Sequence, residues 1–232
     1  MTELGRLSGV FFEPSKTFAD VAERPRWIVP IVIAILFGLI FAYAMSTHVG
    51  WEATVRQSIA SSSRSAEMPA DQRELIIEKG AKAASVLGWV GAVVGPPLFT
   101  LLIAAVLTGI FNGMLGTELK FKQMFAITAY AFLVRAVYTV LLVIILYLKP
   151  PEDFDIRVSP FSLGAYLNRQ ETPKWLLALA GSLDLFTIWV LILLAIGFSV
   201  AAKKLSFAKA LITICIPWLV LVVAGMVLQS FQ

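Results

Sequence analysis

The chain has 232 residues, of which 59% are hydrophobic and 15% charged, and its net charge is +4. A soluble domain carries about 25% charged residues, and the mean hydropathy here is +0.84, so the composition excludes a soluble fold and implies an integral membrane protein. So small a net charge, with no basic stripe interleaved with aromatics, argues against nucleic-acid binding and fits basic loops beside anionic lipid.

The apolar blocks are continuous rather than alternating, which is the pattern of spanning helices and not of a barrel. The expected fold class is all-α: a polytopic membrane helical bundle with five transmembrane helices and a short N-terminal interfacial amphipathic helix. The one cysteine, Cys215, rules out an internal disulfide and any CxxC site. The first residues are of mixed charge, and the first apolar run is long enough to span, so no cleavable signal peptide is expected.

Residues 1–26 form a cytosolic or interfacial lead, and residues 27–232 form the membrane domain. Within the lead, the stretch from Phe11 to Glu23 reads as a short amphipathic helix. Pro14 suits its first turn. Phe18, Val21 and Ala22 share one face, with Lys16, Asp20 and Glu23 elsewhere. Two placements follow: in the membrane interface, or packed on the cytosolic end of the bundle.

The first span is expected over about 27–47, with Trp27 and Tyr43 as interface anchors. The polar stretch from His48 to Ala84 follows, Ser-rich between Ser58 and Met68 and helical again from Pro69. His48 and Glu52 are four residues apart and could hold a metal. With a single histidine in the chain, an exposed loop pair is the plainer reading, and no metal or cofactor is expected. The second span, about 85–115, carries Gly88, Gly91, Gly95, Gly109 and Gly113. The spacings Gly91 to Gly95 and Gly109 to Gly113 let helices approach closely. Gly95, Pro96 and Pro97 predict a kink or break, the kind of interruption that builds substrate sites in transporters. A kinked packing helix is the plainer reading of the same residues.

A turn with Lys120 and Lys122 leads to the third span, about 124–148. After a polar loop, the fourth span is expected over about 175–202. Lys203 and Lys204 make a basic turn, and the fifth span runs over about 207–228 with a kink expected at Pro217. Lysines concentrate in the two short turns, which lie on the same side as the N-terminus. The positive-inside rule then places the N-terminus in the cytoplasm and the C-terminus outside.

Arg135 and Asp184 are charges deep inside apolar runs. A carboxylate there costs several kcal/mol unless protonated, paired or wetted. Arg135 lies 11 residues after Met124, and Asp184 11 residues after Pro173, each roughly 16 Å into its span. An intramembrane pair between them is expected, structural rather than a proton relay, since a relay needs a chain of acidic or histidine residues. No catalytic residue is expected. HExxH, GxSxG and P-loop patterns are absent, and Ser182 beside Asp184 has no histidine to activate it.

Three stretches together resemble the YIP family, the Ypt/Rab-interacting-protein domain, in its bacterial form. They are Phe11 to Phe18 with Trp27 and Pro30; Gly95-Pro96-Pro97-Leu98-Phe99 with Phe121 to Tyr130; and Asp184-Leu185-Phe186-Thr187-Ile188-Trp189 with Gly197. The resemblance implies a five-span fold and a role in membrane organisation. Eukaryotic relatives bind prenylated Rab GTPases and carry DLYGP and GY motifs. Here Val93-Val94-Gly95-Pro96 and Ala129-Tyr130 stand in those places, and these departures weigh against Rab-type GTPase binding. Two functions are carried forward. One is a non-enzymatic inner-membrane adaptor or organiser, bound to the bilayer and to other membrane proteins or copies of itself. The other is a small transporter or channel using the broken second span and the Arg135–Asp184 pair.

Overall fold

The computed structural model describes residues 1–60, 69–151, 154–156, 158–168, 171–202 and 205–230. Expectations for residues 61–68, for Glu152 and Asp153, and for the Lys203–Lys204 turn lie outside these. Among the described residues the chain is all-α, with no strand. In chain order the helices are α1 (Glu3–Phe12), α2 (Pro14–Glu23), α3 (Ile28–Ala44), α4 (Trp51–Ala60), α5 (Ala70–Leu115), α6 (Phe121–Ala131), α7 (Val134–Leu148), α8 (Lys174–Ser182), α9 (Leu185–Ala201) and α10 (Phe207–Ser230). A π-helical turn, Met45–Val49, extends α3, and a single 3₁₀ turn, Leu163–Tyr166, precedes α8.

Among the described residues, four stretches are long and apolar enough to cross a membrane: Ile28–Val49, Ala70–Leu115, Phe121–Leu148 and Phe207–Leu228. They lie over the first, second, third and fifth expected spans, the second helix starting well before the expected 85. The fourth does not form one helix. It divides into α8 and the apolar 17-residue α9, with Leu183 and Asp184 between them. The third is also interrupted, at Phe132 and Leu133. There the chain keeps its bonds with shorter rungs: Leu133 N–H donates to the Tyr130 carbonyl (3.1 Å), and Arg135 N–H to the Phe132 carbonyl (2.9 Å). Backbone groups in a bilayer must be satisfied by the protein itself, so an interruption persists only where such rungs exist. α5, in contrast, runs unbroken through Pro96 and Pro97. Of the kink or break expected there, the break is absent, and α10 likewise continues through Pro217, where a kink was expected.

The chain divides into two compact units. One comprises Met1–Ala34, Leu98–Ala136 and Val158–Gln232. In it α9 packs on α2, α6 and α10, and α1 packs on α2 and α6. Phe18, Val21, Phe111, Met124, Ile127, Tyr130 and Phe198 are fully enclosed. Gly197 makes room for this core: a Cβ there would lie 2.5 Å from Ile127 Cγ2 and 3.1 Å from the Phe18 ring. The helix expected from Phe11 to Glu23 begins instead at Pro14, with Phe11 and Phe12 closing α1, and its Phe18, Val21 and Ala22 are buried against protein.

The other unit comprises Ile35–Pro97 and Val137–Arg157. Its core is Ala44, Met45, Leu142, Leu146 and Phe154. α3 and α5 meet backbone to backbone, since a Cβ on Gly38 would fall 2.8 Å from the Ala92 carbonyl oxygen. The Trp51 ring fills the space beside Gly88. Arg56 bridges α4 and α5, donating to Glu52 (2.9 Å) and Glu74 (2.8 Å). Glu52 is thus an ion-pair partner, while the His48 ring lies against Tyr147 (4.8 Å) and contacts the Lys149 carbonyl (3.4 Å).

Candidate functional site

The interruption at Leu183 and Asp184 is the most constructed feature of the apolar region. Asp184 has extended dihedrals (φ −104°, ψ 134°) and caps α9, its carboxylate accepting from the N–H groups of Phe186 (2.9 Å) and Thr187 (3.1 Å). An aspartate is suited to that place: it satisfies donors that a helix start leaves open, and its charge complements the helix dipole. The other carboxylate oxygen accepts from the Ser159 hydroxyl. The backbone on either side is met by the same preceding segment. Leu163 N–H donates to the Leu183 carbonyl and Leu185 N–H to the Phe161 carbonyl, each at 3.2 Å.

This segment is fastened on both sides. The Phe161 ring packs edge-on against Phe186 (5.0 Å). Gly164 lies directly on α8, where a Cβ would come 2.9 Å from the Gly181 nitrogen. Asp184 and Ser162 are both buried. The partner a buried aspartate needs is thus supplied by Ser159 and by the first turn of its own helix. These bonds engage both oxygens of the Asp184 carboxylate. Arg135 sits in the first turn of α7, just past the Phe132–Leu133 interruption, with its side chain exposed.

The glycines of α5 fall into two groups. Gly88 is used inside the protein, under Trp51. Gly91, Gly95, Gly109 and Gly113 have no atom within 4 Å of where a Cβ would stand. Each of these pairs is one turn apart, and the neighbouring Val93, Val94, Leu102, Val106 and Met114 are exposed.

Sequence reasoning missed an ionic cluster at the N-terminus. Arg6 is 1% exposed; it donates to Asp20 (2.6 Å) and lies 3.5 Å from Glu3. The Met1 ammonium also reaches Asp20 (2.7 Å), and the buried Tyr130 hydroxyl donates to Glu3 (2.7 Å). The Met1 ammonium first, and then Arg6, hold the Asp20 carboxyl below the usual carboxylate range against the opposing effect of burial. Nothing local marks this cluster, because Arg6 and Asp20 belong to different helices and Tyr130 lies far along the chain. The cap at Asp184 did carry a signal: an aspartate directly before an apolar run is a helix-start residue.

A family model described as the Yip1 domain matches residues 8–228, from within α1 to near the end of α10. No curated protein and no solved structure matches the chain.

Proposed function

The chain belongs to the Yip1-domain family, and from that premise we propose that it is a non-enzymatic, multi-pass membrane protein that acts as an adaptor or organiser by binding other membrane proteins or further copies of itself. The observation that carries this reading is the open glycine surface of α5. Small residues at four-residue spacing let a second helix approach closely, and in lipid, where the hydrophobic effect offers no drive, such close packing is a main source of association. Gly38 is already used in this way within the chain, against the backbone of Ala92. Gly91, Gly95, Gly109 and Gly113 offer the same surface unoccupied. The wider placement belongs to the same proposal: five crossings, with α8 and α9 as an interrupted fourth, in the cytoplasmic membrane, with the N-terminus and the Lys120–Lys122 turn in the cytoplasm.

The transport reading relied on a broken second span and an Arg135–Asp184 site. α5 is continuous, and the Asp184 carboxylate is taken up by Ser159, Phe186 and Thr187. Neither feature favours transport.

The test is mild-detergent purification from native membranes with mass spectrometry, comparing the unaltered chain with Gly91→Leu/Gly95→Leu and Gly109→Leu/Gly113→Leu. A membrane-protein partner or defined oligomer should accompany the unaltered chain and be lost in at least one double variant, with thermal stability unchanged. A chain that purifies alone as a monomer, or an association that both double variants retain, overturns the adaptor reading.

A further inference from the structure

We propose that α1 is a lipid-facing helix, its outer face seated among acyl chains at the membrane boundary while α2 beside it faces water. α1 presents an apolar outer face. Its two charged side chains, Glu3 and Arg6, are engaged by the protein, where Arg6 meets Asp20 and Glu3 accepts from Tyr130. Val10 is buried and Phe11 packs on Trp189 (5.8 Å), while Leu4 and Phe12 point outward at 79% and 85% exposure. Leu4, Ser8 and Phe12 recur every four residues and so lie along one face. That face carries no charge and no open hydrogen-bonding group, because the Ser8 hydroxyl donates back to the carbonyls of Leu4 (3.3 Å) and Gly5 (3.4 Å).

A helix packed on a protein in water has the opposite arrangement, with its apolar stripe inward and its charges outward. α2 has that ordinary polarity. Phe18, Val21 and Ala22 are buried, and Ser15, Lys16 and Glu23 are exposed. Both helices are ten residues long and packed on each other, so their opposite patterning reports two different solvents. Lipid is favoured because the start of α1 lies at the entrance of the first apolar span, Glu3 accepting from Arg26 (3.5 Å) directly before Trp27. The chain that follows has the order expected at a boundary. Arg24 and Arg26 are exposed, then Trp27 and Ile28 are exposed at the start of α3. This inference extends the expected interfacial element to a different helix, and it rests on membrane embedding rather than on the adaptor proposal.

The experiment is site-directed spin labelling of the full chain in liposomes of mixed zwitterionic and anionic lipid. Cys215, the single cysteine, is replaced by serine, and labels are attached through Leu4→Cys, Phe12→Cys and Lys16→Cys. Val220→Cys, on the exposed apolar part of α10, serves as the lipid reference. Accessibility to oxygen, which concentrates in lipid, is compared with accessibility to a water-soluble nickel chelate. Labels at 4 and 12 are expected to resemble the label at 220, with an oxygen-to-nickel ratio several-fold above that at 16. A ratio at 12 equal to that at 16 overturns the proposal. So does a label at 12 shielded from both reagents and immobilised, which would reveal a protein partner on the face. These positions are exposed, so labelling leaves the core intact, and a monodisperse elution profile before reconstitution checks this.

Discussion

Two places in the apolar region invite a break, and the chain breaks at the one with weaker local grounds for it. Pro96 and Pro97 stand side by side in α5, next to Gly95, yet the helix continues. Leu183 and Asp184 contain neither proline nor glycine, and there the chain leaves the helix. The difference lies in what each alternative would leave unbonded. A proline forfeits one backbone donor. A full interruption exposes as many as four N–H and four C=O groups at the two new ends, and lipid satisfies none of them. At Asp184 the carboxylate meets the N–H groups of Phe186 and Thr187, and the Phe161–Leu163 backbone meets the Leu185 N–H and the Leu183 carbonyl. A helix in a membrane breaks where replacement bonds are available, and breaker residues alone do not decide it.

Removing those replacement bonds is the strongest test of the contrast. Asp184→Ala deletes the cap and strands the Ser159 hydroxyl. It should cost about 3 kcal/mol, a cap of about 1–2 plus a buried group left unbonded, read as a lowered midpoint in detergent unfolding. Next comes Gly164→Ala, whose Cβ would meet the backbone of Gly181 at 2.9 Å. Backbone cannot rotate away, so the segment must shift, at about 2 kcal/mol, and proteolysis between Val158 and Tyr166 should speed up. Ser159→Ala removes one of the carboxylate's bonds and should cost about 1 kcal/mol. Asp184→Asn sharpens the point, because asparagine caps about as well as aspartate. A loss below about 1 kcal/mol is expected from cap equivalence. If Asn behaves like Ala, the charge itself is essential and an ionic partner must be sought again.

The all-helical membrane architecture was legible because apolar run length is a local property. So was the buried face of α2, since Phe18, Val21 and Ala22 recur at helical spacing. The interruption at Phe132 and Leu133 was not, because Phe, Leu and Val carry no break signal. The one at Asp184 was half legible: the residue type fits a cap, but the segment that completes it begins 25 residues earlier at Ser159. Arg6 looked like an ordinary surface residue, because its partners come from α2 and α6.

The smallest effect probes the other side of the contrast. If α5 is a continuous helix that merely tolerates its prolines, Pro96→Ala and Pro97→Ala restore a donor each without disturbing any constructed joint. Neither should destabilise the chain, and each should leave it unchanged or raise its unfolding midpoint, since a helix-interior proline costs about 3 kcal/mol relative to alanine in water and less where the helix has already adapted to it. A clear loss of stability in either variant would mean that the bend imposed by the prolines sets how α5 packs. The paired prolines would then be as constructed a feature as the cap at Asp184, and the contrast between the two sites would fail.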